Sequence, residues 1–110
     1  MKAPARGDVV LVDLRPGFGA EQGGEPRPCV VISSTGFNAL SKLLVLCPMT
    51  KHRKGRAFEV ASTFRGIEGA ILIDQIRSID RRARKAPIIG SIDALTLERV
   101  LAKINALLFQ

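Results

Sequence analysis

Residues 29–50 read CVVISSTGFNALSKLLVLCPMT, two short apolar runs separated by a polar link. Cys29 to Ser33 and Leu43 to Cys47 are rich in β-branched residues and leucine, which predicts two strands, the second ended by Pro48. The link between them has room for one helical turn. Each strand carries one cysteine, and both cysteines are expected to be buried thiols.

Further apolar runs on either side of this stretch predict more strands. They extend from Val9 to Leu14, from Phe58 to Ala61 and, as two short strands or one bent strand, from Gly69 to Ile79. The C-terminus changes period, because apolar residues recur there at steps of three and four, which predicts a helix. Its stripe comprises Leu97, Val100, Leu101, Ile104, Leu107 and Leu108.

This helix is expected to begin at Asp93 or Thr96, either of which can accept hydrogen bonds from the first turn. Five or six short strands with one terminal helix predict a mainly β (α+β) fold, a small, strongly curved SH3-like barrel. The absence of α/β alternation argues against a parallel sheet. The 110 residues fit a single domain spanning residues 1–110.

The charge balance points to an anionic partner. The chain has 17 Lys+Arg against 10 Asp+Glu, a net charge of +7, which fits nucleic acid, an anionic membrane surface or an acidic protein. No apolar stretch approaches the ~20 residues that a membrane span needs. No signal-peptide core and no Cys/His cluster is present, so we expect a cytoplasmic protein without a metal or other cofactor.

Two basic clusters concentrate this charge. Lys51-His52-Arg53-Lys54-Gly55-Arg56 follows the third predicted strand, and Arg81-Arg82-Ala83-Arg84-Lys85 follows the last one. As loops, both are predicted to follow the phosphates of single-stranded RNA, although either alone also fits an ordinary solvated loop. The single histidine is a weaker catalytic candidate, because neighbouring cations disfavour its imidazolium form.

The Gly- and Pro-rich loop over residues 15–28 carries Glu21 and Arg27. RNA is cleaved without a metal when its own 2′-hydroxyl attacks the adjacent phosphorus, which needs a base and donors for the developing charge. Arg27 can supply such donors, Thr50 can donate to a phosphate oxygen, and Glu21 can act as base or position a nucleotide. A salt bridge of Arg27, a turn cap at Thr50 and a plain loop carboxylate at Glu21 are the structural alternatives.

Ordered blocks along nearly the whole chain resemble the MazF/PemK toxins. They are Arg6 to Asp13, the loop from Gly19 to Pro28 (which matches "G-x-E-Q-x-G-x-R-P" with one extra residue), Cys47-Pro48-Met49-Thr50, Lys54 to Val60 and Asp74 to Asp80. The resemblance implies a CcdB-like barrel and a homodimeric, metal-independent, sequence-specific endoribonuclease that leaves 2′,3′-cyclic phosphate and 5′-hydroxyl ends. It also implies an acidic MazE-like antitoxin that blocks the RNA groove, and DNA binding by the toxin–antitoxin complex.

The resemblance assigns catalysis to Arg27 and Thr50, with Glu21 the preferred but unsettled base. The residues expected to bind RNA are Gln22, Lys51, His52, Lys54, Gln75 and Ser78. Two alternatives remain on the same barrel. One is a non-enzymatic topoisomerase inhibitor like CcdB, and the other is an RNA-binding barrel that has lost catalysis.

Overall fold

The computed structural model describes residues 2–14 and 26–110, in which seven antiparallel strands form one curled sheet. The strands are β1 (Asp8–Val12), β2 (Arg27–Val31), β3 (Leu43–Thr50), β4 (Glu59–Phe64), β5 (Ile67–Leu72), β6 (Arg77–Asp80) and β7 (Ile88–Ser91). The helices are α1 (Thr35–Leu40), α2 (Arg81–Arg84) and α3 (Ala94–Phe109), with a 3-10 turn at Ile73–Gln75. None of these helices is long and apolar enough to cross a membrane.

The strands run in the order β4-β5-β3-β2-β1-β7, and β6 pairs with β3 beside β5. The predicted mainly β class, a strongly curved sheet with a C-terminal helix, is therefore confirmed, as is the antiparallel arrangement. Asp93 caps α3 by accepting a hydrogen bond from the amide of Thr96 at 2.7 Å. One of the two predicted caps is thus correct.

Alternation along the strands gives the sheet two apolar faces. On one face, Val9 and Val30 pack in a cluster with Val100 and Ile104 of α3. The other face is buried without α3 and holds Val10, Val12, Cys29, Val31, Leu44, Leu46 and Ile79. The core therefore lies on both sides of the central strands, and the candidate site lies at the ends of β2 and β3.

The two cysteines are buried and free, as predicted. Cys29 belongs to one apolar cluster and Cys47 to the other, so their thiols lie on opposite faces and are not placed to form a disulfide. Burial raises the pKa of each thiol to about 12. Both side chains therefore act as apolar core groups.

Pro48 does not end the third strand, which corrects the sequence-based boundary. β3 continues to Thr50, and Pro48 is fully buried opposite Cys29. Along its other edge, β3 pairs with β6 as far as Leu46 and with β5 from Met49 onward. Pro48 lies where the partner strand changes, a position at which the missing amide proton interrupts neither ladder.

Two further elements differ from expectation. Residues 81–84 form the short helix α2 rather than a loop, because the Asp80 carboxylate accepts hydrogen bonds from the amides of Arg82 and Ala83. β7 was not predicted, because it has only four residues and includes Gly90. A Cβ at Gly90 would lie 2.9 Å from the ring of Phe64, so this strand needs glycine for close packing.

Candidate active site

Arg27 begins β2 and Thr50 ends β3, and both line one cleft of about 400 Å³. The β2–β3 register pairs Cys29 with Pro48, and its continuation by two residues sets Arg27 opposite Thr50. Two positions that are 23 residues apart in sequence are thereby brought together. The other lining residues are Pro26, Pro28, Met49, Lys51, His52, Ser62, Phe64, Ile67, Glu68 and Gly69.

The guanidinium group of Arg27 is held by a backbone contact. Its Nη2 donates to the carbonyl oxygen of Met49 at 3.2 Å, which fixes the half-buried side chain across the β2–β3 pair. This is its only hydrogen bond or ion pair with the described residues, so the remaining guanidinium donors are free of protein partners there. A planar fork with free donors suits a phosphate group.

The hydroxyl group of Thr50 has one hydrogen-bond partner among the described residues. Its Oγ1 accepts a hydrogen bond from the amide of His52 at 3.1 Å, which turns the chain at the end of β3. The turn cap considered from the sequence is therefore present. Because the hydroxyl is used there as an acceptor, its own proton can still be donated to a ligand oxygen.

The far wall of the cleft is the β4–β5 hairpin, which sequence reasoning did not assign to the site. Thr50 pairs with Ala70 of β5, and a Cβ on the adjacent Gly69 would lie 2.0 Å from the Thr50 carbonyl oxygen. The two backbones thus touch at Gly69, and only glycine fits. A glycine inside an apolar strand signals such a close approach and is the feature that could have identified this wall.

Glu68 is the one carboxylate among the described residues that line the cleft. It lies on β5 opposite Thr63 of β4 and is exposed. It makes no hydrogen bond or ion pair with any described residue. This side chain was absent from the sequence-based candidates because only the β3–β5 register brings it to the cleft.

The basic segment, defined as residues 51–56, continues from β3 and is exposed throughout. Its first two residues, Lys51 and His52, line the cleft. Farther along, the Glu59 carboxylate accepts hydrogen bonds from the amides of Lys54 and Gly55 at 3.0 and 3.1 Å. The segment therefore has no regular secondary structure, but its backbone is hydrogen-bonded to Glu59 at the start of β4.

The other predicted residues are not among the described residues that line the cleft. Glu21 and Gln22 lie outside the described residues, so their predicted roles stay predictions. Lys54 is exposed beyond the cleft, Gln75 ends the 3-10 turn, and Ser78 is exposed on β6 opposite Val45. None of these last three belongs to the cleft lining. In the described parts of the chain, no group of three or more metal-ligating side chains occurs.

Residues 5–108 match the family described as the PemK-like, MazF-like toxin of type II toxin–antitoxin systems. The chain belongs to this family. It is 38% identical over 105 residues to the endoribonuclease toxin MazF of Escherichia coli K12, covering 96% of this chain and 94% of that one. It is 34% identical over 106 residues to the endoribonuclease toxin ChpB of the same strain, covering 92% and 90%. The resemblance drawn from the sequence blocks is thus confirmed.

Solved structures agree on the fold. MazF from Deinococcus radiodurans superposes with a TM-score of 0.85 at 35% identity, and the match covers 100% of both chains. A MazE–MazF complex from the same organism matches with a TM-score of 0.83 at 31% identity, covering 100% of this chain and 99% of that one. The half-barrel with its C-terminal helix is therefore the MazF-type fold.

Proposed function

We propose that this chain is the toxin of a type II toxin–antitoxin pair and cleaves single-stranded RNA through 2′-hydroxyl attack, leaving 2′,3′-cyclic phosphate and 5′-hydroxyl ends. The observation that carries the proposal is the convergence of Arg27 and Thr50 on one cleft. Family membership supports the reaction class, since the relatives are named endoribonucleases.

Arg27 and Thr50 act on the phosphate in this proposal. The free donors of Arg27 bind the two non-bridging oxygens, whose negative charge grows as the phosphorane forms. The hydroxyl proton of Thr50 is donated to a phosphate oxygen while its oxygen stays bound to the amide of His52. Both groups are held by backbone contacts before RNA arrives, so little reorganisation is needed during the reaction.

Binding along the RNA chain is assigned to the surrounding positive charge. Lys51 and His52 contact phosphates in the cleft, and Lys54, Gln75 and Ser78 bind RNA outside it. The acidic segment of a MazE-like antitoxin competes for this basic surface, a proposal supported by the solved MazE–MazF complexes of relatives. The active form is proposed to be a cytoplasmic homodimer.

The test is an RNA digest with the purified chain, free of antitoxin and with EDTA present. Wild-type protein is expected to cut a long single-stranded RNA. Arg27→Ala and Thr50→Val should each lower the cleavage rate about 100- to 1,000-fold, because each removes a side chain that donates to the developing charge. Circular dichroism and sedimentation should show unchanged folding and oligomeric state.

Arg99→Ala is the matched control for Arg27→Ala, since it removes the same charge from an exposed residue of α3 outside the cleft lining. RNA left intact by the wild-type chain would overturn the proposal. Salt-dependent binding without cleavage would instead indicate an RNA-binding barrel that has lost catalysis. Inhibition of a topoisomerase by a chain that does not cut RNA would indicate the CcdB-like alternative.

A further inference from the structure

The proposed reaction needs a group that takes the proton of the attacking 2′-hydroxyl. Among the described cleft residues, only His52 and Glu68 have side chains of a type that accepts a proton near neutral pH. Both candidates lie close to Thr50 along the chain or across the sheet: the amide of His52 is hydrogen-bonded to the Thr50 hydroxyl, and Glu68 directly precedes Gly69, whose backbone touches the Thr50 carbonyl oxygen. His52 belongs to the irregular segment after β3, whereas Glu68 is positioned by the paired strand β5.

No structural role explains the negative charge of Glu68 in this cleft. The cleft also holds Arg27, Lys51 and His52, and RNA is a polyanion, so a carboxylate there weakens RNA binding unless it meets a donor on the RNA. No described residue neutralises it through a hydrogen bond or ion pair. An exposed carboxylate without a partner is free to accept a proton from a bound nucleotide.

We propose that Glu68 is the general base of the RNA cleavage, an inference that rests on the function proposed above. Glu68 takes the 2′-hydroxyl proton as the O2′–P bond forms and the P–O5′ bond breaks. The departing 5′ oxygen takes a proton from solvent, and the protonated Glu68 returns one to solvent, so no water is consumed. Glu68 replaces Glu21 in this role, which leaves Glu21 to position a nucleotide.

The experiment compares single-turnover cleavage of a single-stranded RNA by wild type, Glu68→Gln and Glu21→Gln across a pH series. The two variants remove the same charge from the same type of side chain. E68Q is expected to lower the rate about 100- to 10,000-fold and to abolish the acid limb of the pH profile, because no base is left to ionise. E21Q is expected to keep that limb.

Binding is measured separately, with an RNA carrying a 2′-deoxy nucleotide at the cleaved bond. E68Q should bind this probe as tightly as wild type or more tightly, because a negative charge has left the cleft. Glu68→Asp, which keeps the carboxylate but shortens its reach, is expected to retain the acid limb at a reduced rate. It also carries the test if E68Q does not fold.

Four results would overturn the inference. The first two are cleavage at the wild-type rate by E68Q and cleavage at the wild-type rate by E68D. The third is a pH profile that loses its acid limb in E21Q or His52→Gln but keeps it in E68Q, and the fourth is an E68Q variant that cuts a different RNA sequence with no fall in its rate. The last result would make Glu68 a reader of nucleobases. If the wild-type chain itself leaves RNA intact, the proposed function fails, which is distinguishable from an active wild type with an unaffected E68Q.

Discussion

The two basic clusters look equivalent in the sequence but are used differently in the structure. All residues of the basic segment, residues 51–56, are exposed, and the segment starts at the wall of the cleft. In residues 81–85, by contrast, Arg84 is half-buried, and its Nη1 donates to the carbonyl oxygen of Asp13 at 2.8 Å. The arginines of such a cluster can therefore donate hydrogen bonds to the backbone of their own fold as well as bind a polyanion.

Both clusters share one anchoring device. A single carboxylate accepts hydrogen bonds from two consecutive amides in each: Glu59 from Lys54 and Gly55, and Asp80 from Arg82 and Ala83. The clusters thus differ in how their charged side chains are used, not in whether their backbone is held. Net charge alone does not distinguish the roles of the two clusters. Variants that remove the same charge from each cluster therefore test these roles directly.

The largest difference is expected in RNA binding. The double variant Lys51→Ala with Lys54→Ala should weaken binding and reduce the slope of log affinity against log salt by about 0.7 for each phosphate that the protein no longer neutralises. The measurement is a titration of 2′-deoxy-blocked RNA at several salt concentrations. The double variant Arg81→Ala with Arg82→Ala removes the same charge outside the cleft and should leave the slope unchanged. Equal slopes for both variants would mean that only overall charge matters.

The second difference concerns stability. Arg84→Ala should lower the free energy of unfolding by about 1–3 kcal/mol, because a charged hydrogen bond to the Asp13 carbonyl oxygen is lost from a half-buried place. The measurement is urea denaturation, with Arg53→Ala as an exposed control expected to change stability little. Unchanged stability together with a weaker salt dependence of RNA binding would indicate that Arg84 contacts RNA rather than stabilising the fold.

The sequence predicted the elements that periodicity alone determines. The curved antiparallel sheet, the terminal helix and its Asp93 cap follow from apolar patterns and local hydrogen bonding. Arg27 and Thr50, which share the cleft, could be named as candidates from the sequence because they stand in family motifs. Glu68 was missed because its place in the cleft depends on the long-range β3–β5 register, for which the glycine at position 69 inside an apolar strand was the available local signal.

The smallest effect should appear at the anchor of α2. Hydrogen bonds from the amides of Ala83 and Arg82 hold the pKa of Asp80 below its ordinary value. A lowered folded pKa means that the carboxylate stabilises α2 above its usual titration range, and that this contribution is lost as the pH falls through the folded pKa. Hydrogen exchange of these two amides, corrected for intrinsic rates, should therefore lose protection on acidification. Asp80→Ser keeps an uncharged cap and should remove that pH dependence, whereas Glu98→Gln on α3 should retain it. Persistence of the pH dependence in D80S would assign it to another group.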